Sequence, residues 1–277
     1  MSNIDQYAVY GSPIKHSKSP RIHSLFAQQT GQTLEYNAVL VPAEQFTQQT
    51  GNFFEQAGRG LNCTVPLKEL AWEYADQLTE RATLSKAVNT LIRQEDGSIL
   101  GDNTDGIGLV TDLIHNHGIE LAQKSILILG AGGASRGIIG PLLDQSPTQI
   151  TVVNRTVSKA LTLAEEFSHK GNITGCAYAD LSGLSFDMII NATSASLSDD
   201  LPPLTEGLLA NQGSCYDLAY SNQPTAFVRW GNQQAAAKSL DGLGMLVEQA
   251  AEAFYLWRAV RPNTQEVIQL LESERST

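Results

Sequence analysis

The sequence predicts an α/β protein of two domains: an N-terminal α/β domain with a mostly parallel sheet, and a doubly wound Rossmann-type domain. Three observations predict this fold class. The chain has 277 residues, which is enough for two domains. Short β-rich runs alternate with helix-length segments along it. In the second half, a fully apolar run ends in a glycine-rich turn, Gly130-Ala131-Gly132-Gly133-Ala134-Ser135, which opens a helix.

The first hundred or so residues carry four strand-like runs, rich in Val, Leu and Tyr, with helix-like segments between them. We expect strands at residues 7–10, 34–41, 60–65 and 88–92, and helices at 20–29, 43–56 and 67–78. Because helices of this length form crossover connections between parallel strands, the sheet of this domain is expected to be mostly parallel.

A helix at 108–117 is expected to lead into the second domain. Strands are expected there at 125–129, 150–153, 187–191 and 214–218, with helices ending near 143 and at 158–167, 243–258 and 264–272. Fully apolar strands that are each followed by a helix are typical of a parallel sheet buried on both faces. We expect residues 1–105 and the C-terminal helices at 243–277 to form one domain, and residues 106–242 to form the Rossmann domain.

Composition and charge exclude several classes of function. The net charge of −11 argues against a nucleic-acid partner, which needs a basic face. The apolar runs are far shorter than the ~20 residues of a membrane helix, and the first residues do not resemble a signal peptide, so a cytoplasmic protein without a membrane partner is expected. Three widely spaced cysteines indicate reduced thiols. His115 and His117 lie two apart, so a helix would point them to different faces, and we expect no metal.

The glycine-rich turn predicts a dinucleotide site. Gly130 permits the tight turn, and Gly132 lets the backbone approach a pyrophosphate, which the free N–H groups and dipole of the helix N-terminus then stabilise. Ser135 stands where this fingerprint has Gly or Ala. An ordinary strand-to-helix turn is the alternative, but the strand–turn–helix context favours the dinucleotide.

The residues after the next strand, Asn154-Arg155-Thr156, favour NADP over NAD. An NAD site has Asp or Glu here, and that carboxylate would repel a 2′-phosphate, whereas the Arg155 guanidinium can bind the phosphate bidentately. Lys159 lies one helical turn further on. The alternative is that Thr156 only caps the next helix while Arg155 is solvated.

Polar side chains of the N-terminal half lie at the ends of predicted elements. Ser17 and Ser19 precede a helix, where hydroxyls can hold a carboxylate, although Ser19 as N-cap with Pro20 at the first helical position explains the pattern equally well. Lys68 lies near a helix start, where the dipole disfavours a cation. Asp105 belongs to a Gly-Asp-Asn-Thr-Asp-Gly segment that also fits a simple turn.

Taken together, these motifs resemble those of the shikimate dehydrogenases of aromatic amino-acid biosynthesis. The resemblance covers nearly the whole chain, and the joint occurrence of the motifs in this order makes it specific. The motifs are GSPIKHSKSP at 11–20, NCTVPLK at 62–68, AVNT at 87–90, GDNTDG at 101–106, GAGGAS at 130–135, NRT at 154–156, NATS at 191–194, YDLAY at 216–220 and DGLGML at 241–246.

The resemblance implies an N-terminal domain that binds shikimate or 3-dehydroshikimate, a Rossmann domain that binds NADP(H), and an active site between them. It implies that Ser17 and Ser19 hold the substrate carboxylate and that Lys68 is the acid/base, positioned by Asp105. The other substrate contacts that it implies are Asn62, Thr64, Asn89, Tyr220 and Gln249. The cofactor contacts that it implies are Glu80, Gly130, Ala131, Gly132, Gly133, Ala134, Asn154, Arg155, Thr156, Val157, Ser158, Lys159, Leu218 and Gly242.

The implied reaction is the reversible, NADPH-dependent reduction of 3-dehydroshikimate to shikimate, with hydride transfer at C3. The alternatives are a quinate/shikimate dehydrogenase of broad specificity, a non-catalytic shikimate-binding sensor, and a Rossmann oxidoreductase with an unrelated substrate. Two residues depart from the family pattern: Leu218 stands where Met is frequent, and Cys63 where a small β-branched residue is common. An exposed helical position explains Glu80 equally well. The sequence is compatible with a monomer or a homodimer.

Overall fold

The computed structural model describes residues 4–193 and 195–275, with the backbone alone at Leu197. These residues form two compact units. Unit 1 comprises the described residues of Met1–Gly108 and Val247–Leu271, and unit 2 comprises those of Leu109–Leu246 and Glu272–Thr277. Unit 1 is therefore built from two separate stretches of the chain.

The described chain contains strands and helices in alternation. The strands are β1 Asp5–Gly11, β2 Leu34–Leu40, β3 Gly58–Cys63, β4 Gln77–Leu78, β5 Thr90–Arg93, β6 Ile99–Asp102, β7 Ser125–Leu129, β8 Gln149–Val153, β9 Ile173–Cys176, β10 Phe186–Asn191, β11 Leu209–Asp217 and β12 Lys238–Leu240. The helices are α1 Ser19–Thr30, α2 Phe46–Glu55, α3 Lys68–Tyr74, α4 Glu80–Ser85, α5 Asp105–Thr111, α6 Gly133–Leu143, α7 Val157–Phe167, α8 Ala226–Gln233, α9 Leu243–Arg258 and α10 Thr264–Arg275. A π-helical turn, Asp112–Asn116, continues α5.

The sheet of unit 1 has six strands in the order β2-β1-β3-β5-β6-β4. Strand β1 pairs in parallel with β2 and β3, and β4 pairs in parallel with β6. Strand β5 is antiparallel to both β3 and β6. The expected mostly parallel sheet is confirmed, with one reversed strand. This reversal places the start of β5 and the end of β6 at the same edge as the carboxyl ends of β1 and β3.

Helix α1 corrects one expectation about its own start. The helix begins at Ser19, its N-cap position is Lys18, and Pro20 lies in the first turn. The alternative explanation of this motif, with Ser19 as N-cap, is therefore wrong, because Ser19 is already a helical residue and is buried. The Ser19 backbone N–H instead donates to the Ser17 hydroxyl at 3.3 Å. That bond satisfies one of the N–H groups that every helix start leaves without an intrahelical acceptor.

An aromatic cluster joins α1, the sheet and α9 within unit 1. The His23 ring stacks on Tyr36 with centroids 4.1 Å apart and planes 7° apart, and the Trp257 ring centroid lies 5.4 Å from that of His23. Trp257 packs directly on the backbone of β3, because a Cβ at Gly60 would lie 2.3 Å from its indole nitrogen. Its indole N–H donates to the Leu91 carbonyl at 3.1 Å. Helix α9 is thus tied to the centre of the unit 1 sheet.

The burial of His23 predicts a loss of stability in acid. Burial lowers the pKa of His23 to about 3. Below the usual histidine pKa near 6.5, His23 binds a proton in the unfolded chain but stays neutral in the folded chain. Stability is therefore lost progressively as the pH falls towards 3. The loss approaches about 1.4 kcal/mol per pH unit. Between pH 7 and pH 4.5, the free energy of unfolding measured in urea should therefore fall by about 2–3 kcal/mol less in His23→Phe than in the wild type. An equal loss of stability in both proteins would contradict the assignment of this acid sensitivity to His23.

Unit 2 contains the predicted doubly wound sheet. Its six strands are all parallel and follow the order β12-β11-β10-β7-β8-β9. The order reverses between β7 and β10, which creates the point where such sheets bind dinucleotides, outside the carboxyl ends of the strands. The side chains of Ile126, Leu127, Ile128 and Leu129 are fully buried, as expected for a strand covered on both faces. The Rossmann-type architecture is confirmed.

Among the described residues, no helix combines the length and the apolar composition that crossing a bilayer requires. Over the same residues, no group of three or more His, Cys, Asp or Glu side chains could hold a metal ion.

Candidate active site

Lys68 and Asp105 form an ion pair at the sheet edge defined by β3, β5 and β6. Lys68 is the first residue of α3, after β3, and Asp105 is the first residue of α5, after β6. The Lys68 Nζ lies 2.5 Å from Asp105 Oδ2. The side chains are 26% and 12% exposed, so the pair is sheltered but open to a small molecule. An ammonium beside a carboxylate is a group that can give and take a proton.

The amide of Asn89 fixes the other oxygen of this carboxylate. Asn89 precedes β5, and its Nδ2 donates to Asp105 Oδ1 at 2.8 Å and to Thr104 Oγ1 at 2.9 Å. The same nitrogen lies 3.3 Å from Gln249 Oε1, which α9 supplies. The Asp105 backbone N–H donates to Asn103 Oδ1 at 3.1 Å. The carboxylate that faces Lys68 is therefore held through both oxygens and its own backbone.

Asn62, at the end of β3, extends this network. Its Nδ2 donates to the Asn89 carbonyl and to Thr90 Oγ1, both at 3.0 Å. Its Oδ1 accepts from the Tyr36 hydroxyl at 2.7 Å. Both amide protons are thus used, so what Asn62 can offer a ligand is a lone pair on Oδ1. Such a group accepts a hydrogen bond from a ligand hydroxyl.

Tyr36 connects Asn62 to the serine pair and was missed by the sequence analysis. Burial raises the pKa of Tyr36 well above its usual value, and a hydrogen bond with the Ser19 side chain partly offsets this rise. The phenol therefore stays neutral and keeps its proton for Asn62. Ser17 and Thr64 are half-buried at the carboxyl ends of β1 and β3, and the Thr64 backbone N–H donates to the Tyr10 carbonyl at 2.9 Å. The structure thus places the predicted substrate residues of unit 1 along one sheet edge.

A second carboxylate near the site, Asp102, has its own cation. Arg81 donates from Nε to Asp102 Oδ1 at 2.9 Å and from a terminal nitrogen to Oδ2 at 2.6 Å. Burial lowers the pKa of Arg81, but the hydrogen bonds and charges of Asp102 and Glu252 outweigh it and leave the pKa raised. Asp102 is therefore neutralised by Arg81 and leaves Asp105 as the partner of Lys68. No sequence motif predicted this pair.

Cys63 lies beside Asn62 but inside the core. It is 2% exposed and packs in the apolar cluster between the sheet and its helices. Burial raises the pKa of the Cys63 thiol, which therefore stays protonated. Its side chain fills apolar space, as a small β-branched residue would.

The glycine-rich turn of unit 2 has the geometry that a pyrophosphate needs. Gly130 has φ +103°, which favours glycine, and a Cβ there would lie 3.1 Å from the Ala192 carbonyl oxygen. Nothing lies within 4 Å of a Cβ built at Gly132 or Gly133, so the turn is open to a ligand. Ser135 is fully buried, and its hydroxyl donates to the Gly130 carbonyl at 2.7 Å. Ser135, which departs from the fingerprint, thus links the helix to the start of the turn. Ala131 and Ala134 complete it.

Gly132 and Gly242 should respond differently to alanine. A Cβ at position 132 meets open space, whereas one at position 242 would lie 2.3 Å from the Leu218 carbonyl oxygen. Gly132→Ala should keep the wild-type melting temperature and raise the KM for NADP at least tenfold, because the methyl group occupies the approach of the pyrophosphate. Gly242→Ala should lower the melting temperature, with an overpacking cost of about 1–3 kcal/mol. Thermal melts and cofactor kinetics measure both; a destabilised Gly132→Ala protein would contradict this interpretation.

Arg155, in the turn after β8, has a guanidinium that is available to a ligand. Arg155 is exposed, and among the described residues no carboxylate lies within ion-pair distance of it. Asn154 Nδ2 donates to the Thr156 carbonyl at 2.9 Å, which shapes this turn. Thr156 occupies the N-cap position of α7, but its side chain makes no capping hydrogen bond to the described residues. Its hydroxyl is therefore not committed to the helix. Val157, Ser158 and Lys159 form the first turn of α7.

The remaining predicted contacts lie in different units. Leu218 and Tyr220 follow β11 in unit 2 and are half-buried, and the Gly242 N–H donates to the Ala219 carbonyl at 3.0 Å, which joins the two loops. Burial raises the pKa of Tyr220. Glu80 is the first residue of α4 and is exposed in unit 1. The roles of Tyr220 toward substrate and Glu80 toward cofactor stay predictions. Ser194, from the NATS motif, lies outside the described residues.

Comparison with known proteins identifies the family. Residues 9–91 match the shikimate dehydrogenase substrate binding domain, residues 112–198 match the shikimate/quinate 5-dehydrogenase model, and residues 242–272 match the shikimate 5′-dehydrogenase C-terminal domain. The shikimate dehydrogenase (NADP(+)) of Methylococcus capsulatus is 59% identical over 277 residues, which is 100% of this chain and 99% of that protein. The chain belongs to the shikimate dehydrogenase family.

Solved structures agree with this membership. The Ael1 enzyme of Pseudomonas putida superposes with a TM-score of 0.90 at 46% identity, covering 96% of this chain and 98% of that one. The shikimate 5-dehydrogenase of Thermus thermophilus, solved with NADP(H) and shikimate, superposes with a TM-score of 0.86 at 32% identity, covering 99% and 100%. The expected family, its oxidoreductase class and its NADP dependence are confirmed.

Proposed function

We propose that the chain catalyses the reversible reduction of 3-dehydroshikimate to shikimate with NADPH. The observation that carries this proposal is the Lys68–Asp105 pair, whose nitrogen and oxygen lie 2.5 Å apart within the unit that matches the family's substrate binding domain. A pair of this kind supplies the proton that a ketone needs when hydride reaches its carbon. The relative from Thermus thermophilus, solved with shikimate and NADP(H), supports the choice of ligands.

In the proposed mechanism, Lys68 moves the proton. During reduction its ammonium donates a proton to the developing C3 oxygen, and during oxidation its amine takes the proton back. Asp105 orients Lys68 and accepts a hydrogen bond from the neighbouring substrate hydroxyl. Asn89 holds Asp105 in place through Oδ1. When bound, NADPH supplies the hydride, and the protein contributes alignment and the proton.

The rest of unit 1 would hold the substrate. Ser17 and Ser19 bind its carboxylate at the start of α1, where the helix dipole also stabilises an anion. Asn62 accepts from a ring hydroxyl, because its two amide protons are already used within the protein. The contacts that complete the proposed substrate site are Thr64, Gln249 and Tyr220.

The residues of unit 2 fit NADP. The open turn at Gly132 and Gly133 accepts the pyrophosphate, and the exposed Arg155 binds the 2′-phosphate. Leu218 presents an apolar side chain toward the nicotinamide. The further contacts proposed are Gly130, Ala131, Ala134, Asn154, Thr156, Val157, Ser158, Lys159, Gly242 and, in unit 1, Glu80.

A broad-specificity quinate/shikimate dehydrogenase is the second candidate. The family model matched by residues 112–198 covers both shikimate and quinate 5-dehydrogenases. The intact Lys68–Asp105 pair argues against a sensor without catalysis, and the substrate-domain match argues against an unrelated substrate.

The test is the nicotinamide absorbance after purified protein is mixed with shikimate and NADP, with quinate and NAD as controls. Rapid reduction that requires both shikimate and NADP is expected. Comparable rates with quinate or NAD would favour the broad-specificity enzyme instead. Tight shikimate binding without reduction would favour the sensor.

We also propose a cytoplasmic protein whose partner is its small-molecule substrate rather than nucleic acid or a membrane. The net charge of −11 and the three free thiols support this proposal. Sedimentation equilibrium distinguishes the monomer from the homodimer.

A further inference from the structure

Asp217 is a buried carboxylate to which the proposed mechanism assigns no role. It ends β11, and its side chain is fully buried at 0% exposure. Among the described residues no cation pairs with it. Its Oδ2 accepts from the hydroxyls of Ser196 and Thr225, the latter at 2.6 Å. Its Oδ1 accepts from Asn191 Nδ2 at 3.2 Å and from the Ala219 N–H at 3.1 Å.

Burying an ionised carboxylate at this position costs desolvation free energy. Burial raises the pKa of Asp217, and hydrogen bonds from Ser196, Thr225 and Ala219 oppose the rise. A neutral side chain of similar size would avoid the desolvation of a charge. An ionised carboxylate, however, offers acceptors on all sides and can take four hydrogen bonds at once. Its value in this fold therefore lies in joining the segments that carry those four donors.

One of these segments lies at the reversal point of the sheet. Asn191 ends β10, and its Oδ1 accepts from the Thr193 N–H at 3.1 Å and from the Thr193 hydroxyl at 2.7 Å in the loop that follows. A Cβ at Gly130 would lie 3.2 Å from Thr193 Cγ2, so this loop packs on the glycine-rich turn. The reversal point is where a dinucleotide binds in this class of sheet. Asn191 and Ser196, at the two ends of the loop, both donate to Asp217.

We propose that Asp217 is a positioning residue for the cofactor: it fixes Asn191 and Ser196, which flank the Thr193 side chain that packs on the glycine-rich turn, and it keeps the dinucleotide crevice preformed. The inference rests on the proposed NADP site. Asp217 acts through Asn191 and Ser196 and not by contact with the cofactor. The Ala219 bond also sets the turn that carries Leu218.

Two partners of Asp217 belong to different segments of the chain and provide a matched pair of variants. Ser196 belongs to the loop, whereas Thr225 caps α8 and donates to the same carboxylate oxygen. Ser196→Ala should raise the Kd for NADP at least fivefold with little change in melting temperature. Thr225→Val should lower the melting temperature but leave that Kd within twofold. Asp217→Asn should raise the Kd tenfold or more.

The readouts are the Kd for NADP from isothermal titration calorimetry, the KM for shikimate and the melting temperature. The KM for shikimate should stay within twofold in Ser196→Ala. A wild-type Kd in folded Ser196→Ala protein would overturn the proposal. The proposal would also be overturned if Ser196→Ala and Thr225→Val both raised the Kd for NADP in proportion to their loss of melting temperature. A purely structural role of Asp217 predicts that result.

Calorimetry separates this inference from the proposed reaction. A wild-type protein that binds NADP but does not oxidise shikimate would end the proposed function, while the Kd series would still decide the role of Asp217. A wild-type protein that binds no NADP would overturn the inference itself. If Asp217→Asn fails to fold, the serine and threonine variants carry the test alone.

Discussion

Replacing Lys68 with alanine is expected to lower kcat for shikimate oxidation by about 10²–10⁴-fold, while the KM for shikimate changes much less. The reason is that Lys68 contributes most in the transition state, where the proton moves, and less to holding the ring. The Asp105 carboxylate, 2.5 Å away, loses its cationic partner in this variant. Steady-state kinetics in both directions measure the effect. An unchanged kcat would eliminate Lys68 as the acid/base.

Two further variants sharpen this prediction. Lys68→Arg keeps a positive charge beside Asp105 but cannot release a proton near neutral pH, so it should be nearly as slow as the alanine variant. Lys124→Ala, at another half-buried lysine, should keep wild-type kinetics. If Lys68→Arg retained most of the activity, the residue would act through its charge alone.

Replacing Arg155 with alanine is expected to raise the KM for NADP by about 10–100-fold and to leave the KM for NAD within threefold. Hydrogen bonds to a charged group contribute about 1.5–3 kcal/mol, and a guanidinium can make two of them to a phosphate. Because NAD lacks the 2′-phosphate, it loses nothing when Arg155 is removed. The exposed position of Arg155, without a carboxylate partner among the described residues, leaves it available for this contact.

Arg229→Ala is the matched control for Arg155. Arg229 is an exposed arginine of the same unit, but its guanidinium is paired with Asp199 at 2.8 Å. Its removal should change neither KM. Equal losses for NADP and NAD in Arg155→Ala would argue that Arg155 supports the fold of the site rather than the phosphate.

The parts of the fold that the sequence predicted are those with local signals. The apolar run of β7 followed by Gly130 identified the Rossmann unit, because strand, turn and helix signals coincide within a few residues. The predicted helix at 67–78 ends early, at Tyr74, because the Asp76 N–H bonds to the Ile99 carbonyl and draws the chain into β4. That competition comes from a strand more than twenty residues away.

Strands β4, β6, β9 and β12 and helix α8 were not predicted. Strand β6 has four residues and ends in Gly101 and Asp102, two residue types that are typical of a turn. A signal for a hairpin between β5 and β6 was present, however. Asp96-Gly97 is a dipeptide typical of hairpin turns, and Gly97 has φ +89°. Strand β4 has only two residues, too few to show any periodicity.

The site was predictable through its motifs but not through its supporting contacts. Lys68 and Asp105 are far apart in sequence, and the family resemblance paired them before the structure showed their contact. Tyr36, Arg81 and Asp217 carry no motif that marks a function. Strand register brings Tyr36 to Asn62 and Asp217 to Asn191, whereas α4 brings Arg81 to Asp102. Contacts over such sequence separations depend on tertiary structure.

The two-part composition of unit 1 has a consequence for its synthesis on the ribosome. Strands β1 to β6 emerge first, but α9, whose Trp257 covers Gly60 and bonds to Leu91, follows only after the whole of Leu109–Leu246. At roughly 5–20 residues per second, the interval is on the order of ten seconds. During it, the sheet that carries Lys68 has an uncovered apolar face, while unit 2 can already fold. The nascent substrate-side unit is therefore the stage at which a chaperone would be needed most.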